Sequence, residues 1–335
     1  MKSTLSSTEP ISFPLRLPTR QEEERQRRFK VLRNYLMGLD AFLRATYGED
    51  ILPGVLTAQR QLHGFTRIQR KPVVNPDAVR RALTLSWAAE LQLRLAPRSQ
   101  LCYSNAWAPV HSYYAICMAL NAWFGASFLN PPTDHAGTLN TISAKTTHTS
   151  ILPLPWAVTC AGCPPFDCNY PGLPTDANPD QTFQLLANPS PSDFWPRYCK
   201  LLKKTREFQL DRAYRDWKQR QHRHKMHKAE KQEVALGQPA VTAFHYLYRL
   251  RLRANYRDVE TMLMSSVDNE WHARFYNGLL ALTDASCLLV ESLLIRSSGS
   301  QIYLSTMDDF FSQTPTFDPD PRSFLVLRRR LLTNK

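Results

Sequence analysis

The sequence predicts an all-α protein on three observations. Long stretches repeat apolar residues at three- and four-residue intervals with few helix breakers, and alternating period-two runs are nearly absent. Glycine is scarce, with 11 in 335 residues, as suits a chain with few tight hairpins. An apolar fraction of 43%, including 11% aromatic residues, is enough to order at least one large core and excludes global disorder.

Residues 1–19 read as a flexible polar arm, because Pro10, Pro14 and Pro18 interrupt any apolar run of the length a secretory signal needs. Residues 20–108 form an N-terminal helical region, with helices expected over Gln21 to Tyr47 and Pro76 to Ala96. A helix from Pro109 to Ala126 opens residues 109–150, the first half of a helical bundle. Ten prolines fall between Pro153 and Pro196, a density that neither a helix interior nor a sheet accepts, so residues 151–198 are expected as an irregular Pro- and Cys-rich insertion. Such long loops are more often functional or mobile than idle.

The second half of the bundle and a C-terminal helix occupy residues 241–335, with helices over Val241 to Arg257 and Asp268 to Arg296. In the longer one, Trp271, Phe275, Leu279, Leu282, Ser286, Leu289 and Leu293 make a continuous packing stripe, and Asp268 is placed to cap it. Its apolar stretch carries Asp284 and Glu291, and a carboxylate near mid-bilayer costs about 2.5–3.5 kcal/mol, so no membrane span is expected. Seven cysteines, an odd number and mostly scattered, favour a reducing, cytoplasmic setting.

The charge is lopsided: 42 Lys and Arg against 29 Asp and Glu leave +13. That sign points to a phosphate polyanion, an acidic protein or an anionic surface as partner. Over half of the excess lies in a basic helix within residues 199–240, where Cys199 to Glu233 holds twelve cations against five acids. Arg215, Lys218, Arg220, Arg223 and Lys225 are its candidate phosphate contacts, and Tyr214, Trp217 and three histidines interleave with them as stacking faces. A solvated helix face is the plain alternative. Arg328-Arg329-Arg330 either adds to the phosphate surface or complements the negative end of a last helix.

Cys160-Ala161-Gly162-Cys163 is a C-x2-C knuckle that could give a structural zinc two thiolates, with Cys168 a third ligand and His148 or His135 a fourth. No second knuckle follows at a familiar interval, and a reduced pair buried under the proline loop is the alternative.

Two segments far apart in sequence share an order with a known family. Ser112-Tyr113-Tyr114-Ala115 begins an apolar stretch running to Phe124, and Thr133-Asp134-His135-Ala136-Gly137 follows after a short loop. Later, Tyr248 to Asp258, containing Arg253-Ala254-Asn255-Tyr256, leads into the long helix. This order, over 109–146 and 241–297, resembles the HEPN family (higher eukaryote and prokaryote nucleotide-binding domain). The resemblance implies a four-helix bundle, pairing as a homodimer, and an RNA-directed role in toxin–antitoxin, CRISPR or phage defence, with protein partners in a defence complex.

Active members of that family are metal-independent ribonucleases with an Arg-x4-6-His motif, whose arginine stabilises the anionic phosphate while the histidine handles a proton. The corresponding stretch from Arg253 to Asp258 has no histidine, which leaves binding without cleavage as the rival. Arg249, Arg253 and Arg257 recur every four residues, with His245 one turn earlier on the same stripe. For any cleavage the sequence nominates Arg253 for phosphate, His245 as acid or base and Tyr256 for positioning; Arg249 and Arg257 join the nucleic-acid-binding set. The Arg215–His222 and Arg220–His227 matches to the motif lie inside the basic run and count as composition. The expected function is binding of RNA or another single-stranded nucleic acid. A non-catalytic scaffold subunit of a nucleoprotein complex and a zinc-stabilised DNA-binding protein are the alternatives.

Overall fold

The computed structural model describes residues 19–97, 100–128, 130–179, 186, 188–257, 269–314 and 320–333, apart from the side chains at 256 and 257. The local sequence sets where its helices begin. Thr19 caps α1 (Arg20–Tyr47): its hydroxyl accepts from Glu22 N at 3.3 Å while the Glu22 side chain accepts from the Thr19 backbone. Two shorter helices follow, α2 (Ile51–Gln61) and α3 (His63–Thr66). Asn75 caps α4 (Pro76–Arg94), whose first-turn proline removes a donor that has no helical partner anyway.

Next come α5 (Leu101–Ser127) and α6 (His135–His148), the latter capped by Asp134. After the proline-rich stretch lie α7 (Phe194–Arg220), α8 (Lys228–Leu236) and α9 (Ala243–Leu252), which ends in a π-helical turn, Arg253–Arg257. The chain closes with α10 (Asn269–Ser298), α11 (Gln301–Gln313) and α12 (Ser323–Thr333). The fold is all-α: among the described residues backbone pairing between extended segments is limited to isolated bridges, Cys160–Val241 and Ala161–Asn169.

The axis of the core is α10, flanked by α5, α1 and α2. Phe275, Leu279, Leu282, Ser286, Leu289 and Leu293 of the expected stripe are buried, and so are Cys287, Leu288, Val290 and Leu294 on the other side. Trp271 differs: it is half-buried and lies under the Arg33 guanidinium, 3.7 Å from its ring centroid. By length and composition α10 could cross a membrane, but here it is enclosed by the other helices. Its Glu291 accepts from Trp87 Nε1 at 2.9 Å, Tyr303 Oη at 2.9 Å and Arg328 Nη1 at 3.2 Å. Arg328 also makes a two-pronged pair with Glu90, at 2.8 and 2.6 Å. Asp268 lies outside the described residues.

Two expectations are corrected. Helix α5 begins two turns before Pro109 and runs through it. Burial of Ala106, Ala108 and Val110 on either side offsets the backbone hydrogen bond that a proline removes. The Pro- and Cys-rich stretch is irregular as expected, but it is no loose loop. Trp156, Val158 and Cys160 are fully buried, Trp156 Nε1 donates to Ser286 Oγ of α10 at 2.9 Å, and Tyr198 Oη donates to Pro155 O at 3.0 Å. Of the C-terminal arginine run, Arg328 is buried between two carboxylates and takes no part in a phosphate surface, Arg329 pairs with Asp308 at 2.5 Å, and Arg330 stands in the last turn of α12.

Candidate nucleic-acid interface

The expected single basic helix is a helical hairpin. Helix α7 stops at Arg220, His222 takes a φ of +51°, and α8 starts after a cap in which His227 and Glu230 bond reciprocally. Residues 221–227 contain no apolar residue except Met226, so nothing anchors a continuous helix there. The returning arm of the hairpin is tied to α7 by Arg206. This guanidinium is buried and donates to Ala235 O at 2.7 Å, Pro239 O at 2.6 Å and Gly162 O at 3.0 Å. With Gln238 O at 3.4 Å as well, one of the twelve cations of the basic run is therefore spent internally, on the backbone carbonyls of four residues.

Six of the remaining cations border two grooves beside α7. A cavity of about 480 Å³ lies between α6, α7 and α9, with Arg212, Arg215, Arg220 and Arg253 on its walls and Tyr248 and His245 beneath. A second, of about 630 Å³ between α7 and α8, takes Arg215, Lys218 and Lys225. Arg215 belongs to both, so the structure gathers Arg215, Lys218, Arg220, Lys225 and Arg253 around one helix. Arg223 stands apart, paired with Glu230 at 2.5 Å and set over the Trp217 ring. Arg249 turns to the other side of α9, where Nη1 reaches Thr205 Oγ1 at 3.4 Å. The side chains of Tyr256 and Arg257 lie outside the described residues.

His245 does not suit the role of acid or base that its spacing suggested. It is only 7% exposed, and Nδ1 accepts from Thr242 N at 3.2 Å as part of the cap of α9. Burial pushes it down to about 3, with Arg206 adding to the shift, so it is neutral and structural at pH 7.

A different histidine occupies the place where the two family-like segments meet. Tyr113 Oη and His135 Nδ1 share a hydrogen bond of 2.9 Å, and Cys117 Sγ lies 3.6 Å from the same nitrogen. The His135 ring also contacts Tyr114 and Tyr248, at centroid distances of 5.9 and 5.8 Å. Arg251 closes the group: Nη2 donates to Tyr114 Oη at 2.8 Å and the guanidinium stands 5.0 Å from that ring. Burial and the Arg251 charge lower the pKa of half-buried His135, leaving it neutral at pH 7 beside a fixed cation. Tyr248 lines the 480 Å³ cavity as well, so the His135–Arg251 group and the arginine-walled cavity adjoin.

From this group an aromatic line runs along the open edge of α5. Tyr103 and Trp107 are 64% and 61% exposed, and His111 and Tyr114 continue the same face at helical spacing. Sequence reasoning missed Arg251 because it lies off the Arg249–Arg253–Arg257 stripe, which periodicity singled out; of that stripe Arg253 reaches the 480 Å³ cavity, while Arg251 meets Tyr114 on another face of α9. The signal available was Tyr114 and Tyr248, each with a neighbour ready to stack on it.

The three cysteines expected to hold zinc are not brought together. Cys160 and Cys168 have Sγ atoms 3.1 Å apart, but the Cys163 thiol turns to Tyr214 Oη at 3.2 Å. Among the described residues no group of three His, Cys, Asp or Glu side chains is arranged to hold a metal ion. The hydrogen bond with Cys160 holds the Cys168 thiol down to about 7, with Tyr170, Lys203 and Arg206 adding to the effect, and holds Cys160 well above the usual thiol range. Comparison of the chain with protein-family models, with curated proteins and with solved structures finds no match.

Proposed function

We propose that the protein binds single-stranded nucleic acid, RNA before DNA, along the surface made by α5, α6, α7 and α9. The observation that supports this most is the adjacency of an arginine-walled cavity to an exposed aromatic line, with Arg251 and Tyr248 at the junction. Cations neutralise phosphates and release counterions, while flat rings stack on bases whatever their sequence. The HEPN resemblance places RNA first and suggests a bacterial defence or toxin-like setting, with a second copy of the chain and other defence proteins as partners.

The test is binding of end-labelled single-stranded RNA and DNA in EDTA across a salt series. Affinity for RNA should fall steeply with salt; reversing charge at Arg215 and Arg220 should weaken binding at least tenfold and flatten the salt slope, while the exposed positions leave the fold intact. Unchanged binding by that double variant would refute the reading.

His135 supports a second reading, metal-independent RNA cleavage. A neutral imidazole can take the proton of a 2′-hydroxyl, and an arginine beside it can hold the phosphate as negative charge builds. Cleavage in EDTA that is lost in His135→Ala, with binding retained, is the expected result. Intact RNA throughout would leave a binding protein without chemistry.

A further inference from the structure

The C-x2-C spacing singles out Cys160 and Cys163, but the fold sets Cys160 against Cys168 instead. All seven cysteines are free thiols, and Cys163 has turned to the Tyr214 hydroxyl. Ala161 and Asn169 exchange two backbone hydrogen bonds, at 3.0 and 3.2 Å, which clamp the two arms of this loop together beside the cysteines. Cys160 is fixed a second time, by its own pair of 2.9 Å backbone bonds with Val241. With both arms held, the Sγ atoms of Cys160 and Cys168 stand 3.1 Å apart. A disulfide needs them only about 1 Å closer.

The two sulfurs differ in access and in surroundings. Cys160 is fully buried, whereas Cys168 is half-buried and so within reach of a small reagent. The Cys160 thiol, the Tyr170 hydroxyl and the charges of Lys203 and Arg206 all favour the Cys168 thiolate, against the opposing effect of burial. The hydrogen bond to Cys168, together with burial, keeps Cys160 protonated. Arg206 is anchored at this place by its bond to Gly162 O, at 3.0 Å, in the loop between the two cysteines. A thiolate in a cationic, partly open setting, with a second thiol already against it, is the arrangement of a cysteine that meets an oxidant and is then resolved.

We propose that Cys168 and Cys160 form a thiol-oxidation site whose co-substrate is a small hydroperoxide, with Cys168 attacking and Cys160 resolving. The Cys168 thiolate attacks one peroxide oxygen: an S–O bond forms, the O–O bond breaks, and the departing hydroxide or alkoxide takes up a proton. The sulfur gives two electrons to the peroxide and becomes a sulfenic acid. The Cys160 sulfur then attacks the Cys168 sulfur; the S–S bond forms, the S–O bond breaks, and hydroxide leaves with the Cys160 proton as water. Two thiols and one hydroperoxide thus give one disulfide, one water and one alcohol, the alcohol being a second water when the oxidant is hydrogen peroxide. The site belongs to the Pro- and Cys-rich stretch and requires no nucleic acid.

The experiment is treatment of the reduced full chain with hydrogen peroxide in EDTA, followed by alkylation of the remaining thiols and peptide mass spectrometry. A Cys160–Cys168 disulfide should form, and Cys168 should be consumed at least tenfold faster than Cys102, which is also half-buried. The rate should rise through a midpoint at about pH 7, below the value of about 8.5 for an ordinary cysteine. Cys168→Ser should abolish the disulfide, and Cys160→Ala should leave on Cys168 a sulfenic acid that dimedone traps. Because Cys160 is buried, its variant risks misfolding; the disulfide map of the unaltered chain needs no variant and decides the matter by itself. A bridge from Cys168 to Cys163 or Cys199, consumption of Cys168 no faster than of Cys102, or oxidation that leaves Cys160 a free thiol would overturn the proposal.

Discussion

Two histidines show how burial and partners, more than spacing, decide chemistry. His245 lies one turn from an arginine stripe, yet its ring caps a helix and its environment holds it neutral to about pH 3. His135 begins a helix, is half-buried, and meets Tyr113, Tyr248 and Arg251 from two other helices. The sign of the Arg251 effect is definite: a cation disfavours imidazolium, so His135 titrates below the usual histidine midpoint. Replacing Arg251 by Gln should move the His135 midpoint upward when followed by NMR. An unmoved midpoint would mean that the guanidinium does not act on this ring.

The same reasoning explains what was legible at the level of elements. Periodic apolar spacing reads out burial, so α1, α4 and α10 were placed within a few residues of where they lie. Charge counting reads out composition and cannot tell Arg206, bonded to four backbone carbonyls, or Arg328, locked between Glu90 and Glu291, from arginines facing water. Nor could it foresee the break after Arg220, which depends on a cap formed by His227 and Glu230.

A closer contact was also invisible in sequence. Gly278 of α10 faces α1, where an added Cβ would stand 2.9 Å from Leu36 Cβ and 3.0 Å from Leu36 O. Alanine improves intrinsic helix propensity by about 1 kcal/mol, but here the backbone oxygen cannot yield without α1 shifting. Gly278→Ala should therefore destabilise the protein by about 1–3 kcal/mol in denaturant unfolding. A stabilised variant would show that the two helices separate freely.

For the molecule as a whole, the proline-rich stretch decides between two pictures: a helical bundle with an appendage, or one core to which the stretch belongs. The buried apolar cluster runs without interruption from Phe29 of α1 to Leu332 of α12 and includes Ile151, Leu152, Trp156, Val158 and Cys160. Gln59 ties the stretch to both neighbours, donating through Nε2 to Ile151 O at 3.2 Å and to Leu289 O of α10 at 3.1 Å. The bridge between Cys160 and Val241 then joins the stretch to the residue pair that leads into α9, and so to Tyr248 and Arg251. If this is the right picture, Trp156→Ala should cost about 3–5 kcal/mol, as expected for emptying a fully buried aromatic site, and should lower the stability of the entire chain in one transition. Followed by circular dichroism for the helices and by tryptophan fluorescence for the packing, both signals should shift together. A helical signal that keeps its original midpoint while the fluorescence midpoint falls would instead show that the stretch unfolds alone, and that the surface carrying Arg251 stands without it.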